Sequence, residues 1–117
     1  MKRTELMKLL DAELLCGGEL PEIEINCACG SDMMSDVLAY TKHDAILLTG
    51  LCNNHVLRTA EMMDIANIMF VRGKVPTQEI IDMANEMGIV LMTTKLPMFS
   101  ACGILYQNGI TGGLRED

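Results

Sequence analysis

The sequence predicts a single α/β domain of three layers, in which a mostly parallel β-sheet is flanked by helices. Three short apolar runs, at 45–48, 68–71 and 89–92, alternate with two segments of helical periodicity, at 54–63 and 77–87. Continuous apolar runs are typical of parallel strands that are buried on both faces. A chain of 117 residues can form one hydrophobic core but not two ordinary domains.

Composition and charge exclude several classes of protein. The chain has 9 basic and 16 acidic residues, a formal charge of −7, and only 2 Tyr and 2 Phe, which disfavours binding to nucleic acid. No apolar run approaches the roughly 20 residues of a membrane-spanning helix. Glu5 and Lys8 interrupt the start of the chain before a signal-peptide core could form. We therefore expect a cytoplasmic protein that binds neither nucleic acid nor membranes.

The first part of the chain predicts a helix and an outer strand. Thr4 is the predicted N-cap of a short helix whose leucines share one face. Residues 11–16 either continue this helix or form a strand. Residues 22–27 alternate acidic and apolar side chains, which predicts a strand with one solvated face near the edge of the sheet.

Three further helices follow from apolar periodicity and from residues that begin or end helices. One is predicted from 30 to 40, and the last from 97 to 107. The helix at 77–87 is bounded by Thr77 and by Gly88, a residue that readily ends helices. We expect the folded domain to span 1–110 and the residues 111–117 to form a flexible tail.

Polar and glycine-containing turns follow the three central strands. In open α/β sheets such turns meet at one edge, where ligands bind. Glycines and helix-start amides allow close approach of a phosphate, and Arg72 and Lys95 can neutralise its charge, although tight turns and solvated surface charges explain the same residues. The predicted ligand-binding residues are Thr49, Gly50, Asn53, Asn54, Arg72, Gly73, Thr93, Thr94 and Lys95, with Ser31 and Asp32, which can also serve as helix caps.

The cysteines suggest two other kinds of chemistry. Cys27 and Cys29 would share one face of a strand and could contact one metal ion or cluster, but the chain has no second C-x-C or C-x-x-C motif. To complete such a site, folding would have to bring in further ligands from Cys16, Cys52, His43 and His55. Cys52 precedes a helix start and lies near His55, a position at which the helix dipole lowers a thiol pKa. No recognisable motif supplies an oxyanion hole or an orienting acid. Buried thiols are the simpler interpretation, and we expect no metal, no cofactor and no catalytic residue.

Four segments of the chain together resemble the DRTGG domain family. They are Gly30-Ser31-Asp32-Met33-Met34-Ser35-Asp36-Val37-Leu38-Ala39, Leu47-Leu48-Thr49-Gly50, Phe70-Val71-Arg72-Gly73-Lys74-Val75-Pro76 and Leu91-Met92-Thr93-Thr94-Lys95-Leu96-Pro97-Met98-Phe99. The chain is most similar to the small stand-alone DRTGG proteins of anaerobic bacteria, often encoded beside iron-only hydrogenase components and signalling kinases.

This resemblance implies a fold like the N-terminal domain of HPr kinase and a regulatory role. DRTGG modules accompany CBS domains in regulated pyrophosphatases and precede phosphate acetyltransferase domains, and no catalytic residues are established for them. Two turns depart from the family pattern. Gly50-Leu51-Cys52 stands where many members have Gly-Asp-Arg, and Val71-Arg72-Gly73 stands where they have Thr-Gly-Gly.

Three functions are compatible with the sequence. The favoured one is a non-catalytic regulatory module, a homodimer that senses a nucleotide or another phosphorylated small molecule or binds a redox or signalling partner. The second is a thiol or metal-binding accessory protein of anaerobic redox metabolism. The third is a purely structural homodimerisation module, since a short chain that is 50% hydrophobic can retain apolar surface.

Overall fold

The computed structural model describes residues 1–40 and 45–112 as a five-stranded sheet between two layers of helices. The strands lie in the order β1-β5-β4-β3-β2. The fold class predicted from the sequence is confirmed. Of the residues expected to form the tail at 111–117, Thr111 pairs with Cys27 in an isolated parallel bridge, and those from 113 onward lie outside the described part. The elements are α1 (Arg3–Leu10), β1 (Glu13–Cys16), β2 (Ala28–Gly30), α2 (Met34–Tyr40), β3 (Ile46–Thr49), α3 (Asn54–Met62), β4 (Asn67–Phe70), α4 (Gln78–Met87), β5 (Val90–Thr93) and α5 (Met98–Gln107).

The three central strands are where the sequence predicted them, to within one residue at each end. Strands β2 to β5 run parallel to one another, and β1 pairs with β5 in the antiparallel sense. In the register of the sheet, Thr49 lies opposite Phe70, and Phe70 lies opposite Thr93. The strands therefore end level with one another. The residues that follow β3, β4 and β5 form a common edge, which we call the carboxyl rim.

Both faces of the sheet are buried, which explains why the central strands are apolar throughout. Leu47, Ile68 and Phe70 face a core formed with α2, α3 and α4. The alternate residues Ile46 and Met69 face a second core formed with α1 and α5. Side chains of successive strand residues point to opposite faces, so each central strand contributes to both cores.

The helices are short and have identifiable ends. The Thr77 hydroxyl accepts a hydrogen bond at the start of α4, and Gly88 ends that helix in the left-handed conformation with φ of 72°. The prediction that Thr4 caps the first helix is wrong, because Thr4 lies within α1, and its amide donates 2.9 Å to the Glu22 carboxylate. No helix in the described part of the chain is long and apolar enough to cross a membrane.

The region before β2 corrects the other sequence expectations. Residues 11–16, which the sequence assigned either to a helix or to a strand, contain strand β1. The strand predicted at 22–27 is wrong, because β2 begins only at Ala28. The Ile25 side chain is buried in the core beneath α1 and α5, and its amide donates 2.8 Å to the Met1 carbonyl. Only Ile25 is buried, since Ile23 is 44% exposed, so the alternating sequence at 22–27 does not correspond to alternating burial.

Candidate functional site

Asp32 lies at the carboxyl rim, where its carboxylate joins the ends of β3 and β4. Its Oδ1 accepts a hydrogen bond of 2.6 Å from the Gly50 amide and one of 3.0 Å from the Thr49 hydroxyl. Its Oδ2 lies 3.5 Å from Nη2 of Arg72. We call Asp32, Thr49, Gly50 and Arg72 the Asp32 cluster. It brings together four residues of the predicted ligand site from three separate segments of the chain.

The electrostatics of the cluster favour an ionised carboxylate. The hydrogen bond from the Gly50 amide lowers the pKa of Asp32 below its ordinary value, while partial burial acts in the opposite direction. The Thr49 hydroxyl and the charge of Arg72 lower this pKa further. Asp32 is therefore negatively charged at neutral pH, and two neutral donors and one cation hold it in place.

The turn after β4 places the Arg72 side chain in this cluster. Arg72 and Gly73 adopt left-handed backbone conformations, with φ of 60° and 68°. For a residue other than glycine this conformation costs of order 1 kcal/mol, and such strain is concentrated at functional sites. Two hydrogen bonds of 2.8 Å hold the turn, from the Arg72 amide to the Leu96 carbonyl and from the Gly73 amide to the Thr94 carbonyl.

Gly50 lacks a side chain at the point where the guanidinium of Arg72 passes over the backbone. A Cβ atom at this position would lie only 2.0 Å from Nη2 of Arg72. Glycine thus permits the close approach that brings Arg72 to Asp32. The Arg72 side chain is nevertheless 46% exposed, so its guanidinium is accessible to a second anionic partner.

The other half of the predicted site lines a cavity of about 230 Å³, which we call the rim cavity. The Thr93 hydroxyl donates 2.8 Å to the Lys74 carbonyl, and the Thr94 hydroxyl donates 2.7 Å to the Leu10 carbonyl. These hydroxyls are therefore already used within the protein. The lining combines one ammonium group with two carboxylates: its residues are Asp11, Ala12, Glu13, Gly73, Val75, Thr93, Thr94 and Lys95.

Sequence reasoning missed four of these lining residues, Asp11, Ala12, Glu13 and Val75. The first three reach the rim because β1 pairs with β5, and the sequence left open whether residues 11–16 form a strand. Only a firm prediction of strand β1 from the sequence could have placed the turn after α1 beside the rim.

Three predicted residues lie at helix starts and do not line the rim cavity, and two of them hydrogen-bond within their own turns. Asn53 caps α3, where its side chain accepts 3.0 Å from the His55 amide, and Asn54 is the first residue of that helix. Ser31 accepts 3.0 Å from the Met33 amide just before α2. Their contacts match the conformational alternative that the sequence also allowed.

The cysteines gain no support as reactive groups. Burial raises the pKa of the Cys52 thiol, and the nearby charges of Lys74 and Arg72 oppose this shift only in part. A nucleophile needs a lowered pKa instead. Within residues 1–40 and 45–112, no group of three or more His, Cys, Asp or Glu side chains is arranged to hold a metal ion. His43, one of the ligands considered for a metal site, lies outside these residues.

The fold and the rim define a three-layer α/β module with a polar edge, at which Asp32 pairs with Arg72. The sequence profile of the DRTGG domain matches residues 5–107, which is nearly the whole chain. The protein belongs to the DRTGG domain family. The family resemblance noted in the sequence is thereby confirmed, whereas the link to iron-only hydrogenase stays a prediction.

Among solved structures, the chain is similar to the CBS and DRTGG domains of the regulatory region of Clostridium perfringens pyrophosphatase, crystallised with the activator diadenosine tetraphosphate. The TM-score is 0.70 at 18% identity, and the match covers 92% of this chain and 47% of that one. The chain thus spans about half the length of that relative, and at this identity the likeness shows the fold alone. No curated protein sequence matches the chain.

Proposed function

We propose that this protein is a non-catalytic regulatory module that senses a small phosphorylated ligand, such as a nucleotide, at the carboxyl rim. The observation that carries the proposal is the convergence of three different donors on the Asp32 carboxylate. A backbone amide, a hydroxyl and a guanidinium are the groups with which proteins bind phosphate. Asp32 therefore occupies, as an internal anion, the position that a phosphate group would take.

This arrangement gives ligand binding a mechanism. A phosphate carries more negative charge than a carboxylate and has more acceptor oxygens, so it competes with Asp32 for the guanidinium of Arg72. Displacement of Asp32 also releases the amide of Gly50 and the hydroxyl of Thr49 for the same phosphate. Because Asp32 lies just before α2, its release is a local change that the rest of the module or a partner can detect.

The rim cavity provides room beside the cluster for another part of the ligand. Its volume of about 230 Å³ is smaller than the roughly 300–1,000 Å³ of ordinary ligand pockets. It would therefore hold a sugar or a base, with Lys95 at its edge, and leave the rest of a nucleotide on the surface. The Clostridium perfringens pyrophosphatase regulatory region was crystallised with a dinucleotide activator, which supports testing nucleotides first.

Calorimetric titration with ATP, diadenosine tetraphosphate and pyrophosphate tests this proposal. We expect millimolar or tighter binding that Arg72→Ala weakens about tenfold. Asp32→Asn should tighten binding, because it removes the competing anion. Arg58→Ala, which removes an exposed arginine of α3, is the matched control and should leave binding unchanged. The absence of binding at millimolar ligand, or weaker binding by Asp32→Asn, would contradict a phosphate site at the cluster.

A second feature, the outer face of α5, favours assembly into a homodimer. The helix contains no charged side chain, although the protein as a whole carries a formal charge of −7. Phe99 and Tyr106 are 88% and 67% exposed, on the same face as Gly103. Exposed aromatic side chains on a face without charges are typical of interfaces. We propose that two copies pack through this face, since large residues flanking a small one suit a symmetric contact.

Light scattering at micromolar protein tests the dimer. Phe99→Glu and Tyr106→Glu should each convert a dimer into a monomer, because a carboxylate would be buried without a partner. Met62→Glu is the matched control, since Met62 is similarly exposed on α3. A monomeric wild-type protein would refute the dimer and leave the ligand site unaffected. Redox or signalling proteins as further partners remain a prediction from the family resemblance.

A further inference from the structure

The rim cavity has charged side chains that the protein itself does not use. The threonine hydroxyls in its lining donate to backbone carbonyls, so they have no proton left for a ligand. Among the described residues, no ion pair or hydrogen bond engages the side chains of Asp11, Glu13 or Lys95. The polar groups that remain for a ligand are therefore two carboxylates, which only accept hydrogen bonds, and one ammonium, which only donates them.

These three charged residues come from two segments that meet at the end of the sheet. Glu13 of β1 lies opposite Thr93 of β5 in the antiparallel register, so their side chains leave the same face of the sheet. Asp11 precedes Glu13 by two residues, and Lys95 follows Thr93 by two residues. The carboxylates and the ammonium therefore line one cavity from two neighbouring segments.

The same cavity also has apolar surface and a connection to the Asp32 cluster. Val75, which is 56% exposed, lines it together with Ala12. A flat ring that covers Val75 removes apolar surface from water. Gly73 also lines the cavity and directly follows Arg72, so a ligand held by the guanidinium extends into it. The lining thus suits a flat heterocycle that has both donors and acceptors on its edge.

We propose that the rim cavity selects guanine as the base of the nucleotide, an inference that rests on the phosphate site proposed above. The edge of guanine presents one acceptor, O6, beside two donors, N1–H and the 2-amino group. A carboxylate of Asp11 or Glu13 accepts from both donors, and the Lys95 ammonium donates to O6. Adenine has an amino group in place of O6 and an acceptor at N1, so it would set donor against donor and acceptor against acceptor.

Calorimetric titration of the wild-type protein with GDP, IDP and ADP tests the choice of base, because the three nucleotides differ only there. The hypoxanthine of IDP keeps O6 and N1–H but lacks the 2-amino group. We expect GDP to bind about tenfold more tightly than ADP, with IDP between them. An affinity for ADP equal to or greater than that for GDP would overturn the inference.

A double variant tests the role of the carboxylates. Asp11→Gly/Glu13→Ala removes both, and glycine adopts the left-handed backbone of Asp11, with φ of 48°, without steric cost. The preference for GDP over ADP should fall to less than about twofold. The ratio of the two affinities is the readout, because the loss of two negative charges strengthens the binding of both nucleotides. Glu86→Ala, at an exposed position of α4, is the control and should keep the wild-type ratio. A preference for GDP that survives in the double variant would contradict recognition by these carboxylates.

The same titrations separate this inference from the phosphate site on which it rests. If GDP and ADP bind equally and Arg72→Ala weakens both, the phosphate site stands and the selection of guanine is wrong. If neither the nucleotides nor pyrophosphate bind at millimolar concentration, both proposals are wrong.

Discussion

The two ends of the sheet differ in whether their polar side chains have hydrogen-bond partners. At the carboxyl rim, Asp32 has three partners, and the hydroxyls of Thr93 and Thr94 each donate to a backbone carbonyl. At the amino ends of the strands, Oδ1 of Asn67 is buried without a hydrogen-bond partner among the described residues. The same short strands thus connect a region in which polar groups satisfy one another to a region in which one acceptor is left over.

The difference determines which region can exchange partners. A ligand at the rim must displace an anion that is already bound, so charge decides whether it can compete. At the amino end, Oδ1 of Asn67 is buried and lies out of reach of a ligand. Four experiments test this contrast, starting with the one for which we expect the largest effect.

Thr94→Val removes a buried hydroxyl from the rim and should destabilise the protein most. The hydroxyl of Thr94 donates to the Leu10 carbonyl and accepts 3.3 Å from the Leu96 amide, so valine leaves both backbone groups without this partner. We expect the free energy of unfolding to fall by about 2 kcal/mol in urea titrations. Thr111→Val, at an exposed position, should change it by less than about 0.5 kcal/mol. An equal loss of unfolding free energy in Thr94→Val and in the control would contradict a stabilising role for the hydrogen bonds of the Thr94 hydroxyl.

Asp32→Asn should cost about 1 kcal/mol near neutral pH, since the site is partly exposed and screened by solvent. Because the folded-state pKa of Asp32 is lowered, its contribution is present above the unfolded pKa of about 3.9 and is lost as the pH falls through the folded value. The stability difference between wild type and variant should therefore shrink below about pH 4. Asp36→Asn, on the exposed surface of α2, is the control. A stability difference between wild type and Asp32→Asn that does not change with pH would contradict a stabilising role for the ionised Asp32 carboxylate.

Arg72→Ala and Arg72→Gly separate the strain of the turn from the charge of the side chain. Both variants lose the guanidinium, but only glycine adopts φ of 60° without steric cost. We expect Arg72→Gly to be more stable than Arg72→Ala by about 0.5 kcal/mol, and nucleotide binding to weaken by the same factor of about ten in both variants. Chemical denaturation and calorimetry measure the two effects. Alanine and glycine variants of equal stability would indicate that the turn is unstrained.

The smallest expected effect is the coupling between the two ends. The double variant Asn67→Leu/Asp32→Asn should have the sum of the two single-variant changes, to within about 0.5 kcal/mol. Strand β4 spans four residues, or about 13 Å, and separates Asn67 from the Asp32 cluster. A larger coupling energy in urea titrations would indicate that the two ends act as one site.

The sequence predicted the centre of the fold better than its first third. Continuous apolar runs identify β3, β4 and β5, because buried parallel strands tolerate few polar residues. Residues 22–27 also had a strand pattern, but their pattern comes from Ile25 entering the core and Glu22 binding the amide of Thr4. An alternating sequence therefore does not by itself indicate a strand, because a strand also requires pairing with a neighbouring strand.

The residues of the candidate site could be predicted more readily than their interactions. Strand-end position was enough to select Arg72, whereas Asp32, 40 positions earlier in the sequence, was selected from a polar helix start. Their pairing depends on the left-handed backbone of Arg72 and on the missing side chain of Gly50, neither of which leaves a periodic signal. The burial of Asn67 at the start of β4 depends on how the neighbouring segments pack, so its unpaired oxygen could not be predicted.

The paired amides of the turn after β4 have a mechanical consequence. The amides of Arg72 and Gly73 are tied to the carbonyls of Leu96 and Thr94, and Pro97, the next residue, is the N-cap of α5. A ligand that moves the guanidinium of Arg72 must break these hydrogen bonds or move the first turn of α5, which contains Phe99. If the rim binds a ligand and α5 forms a dimer interface, ligand binding and dimerisation are thermodynamically linked. Each process then changes the equilibrium constant of the other by the same factor.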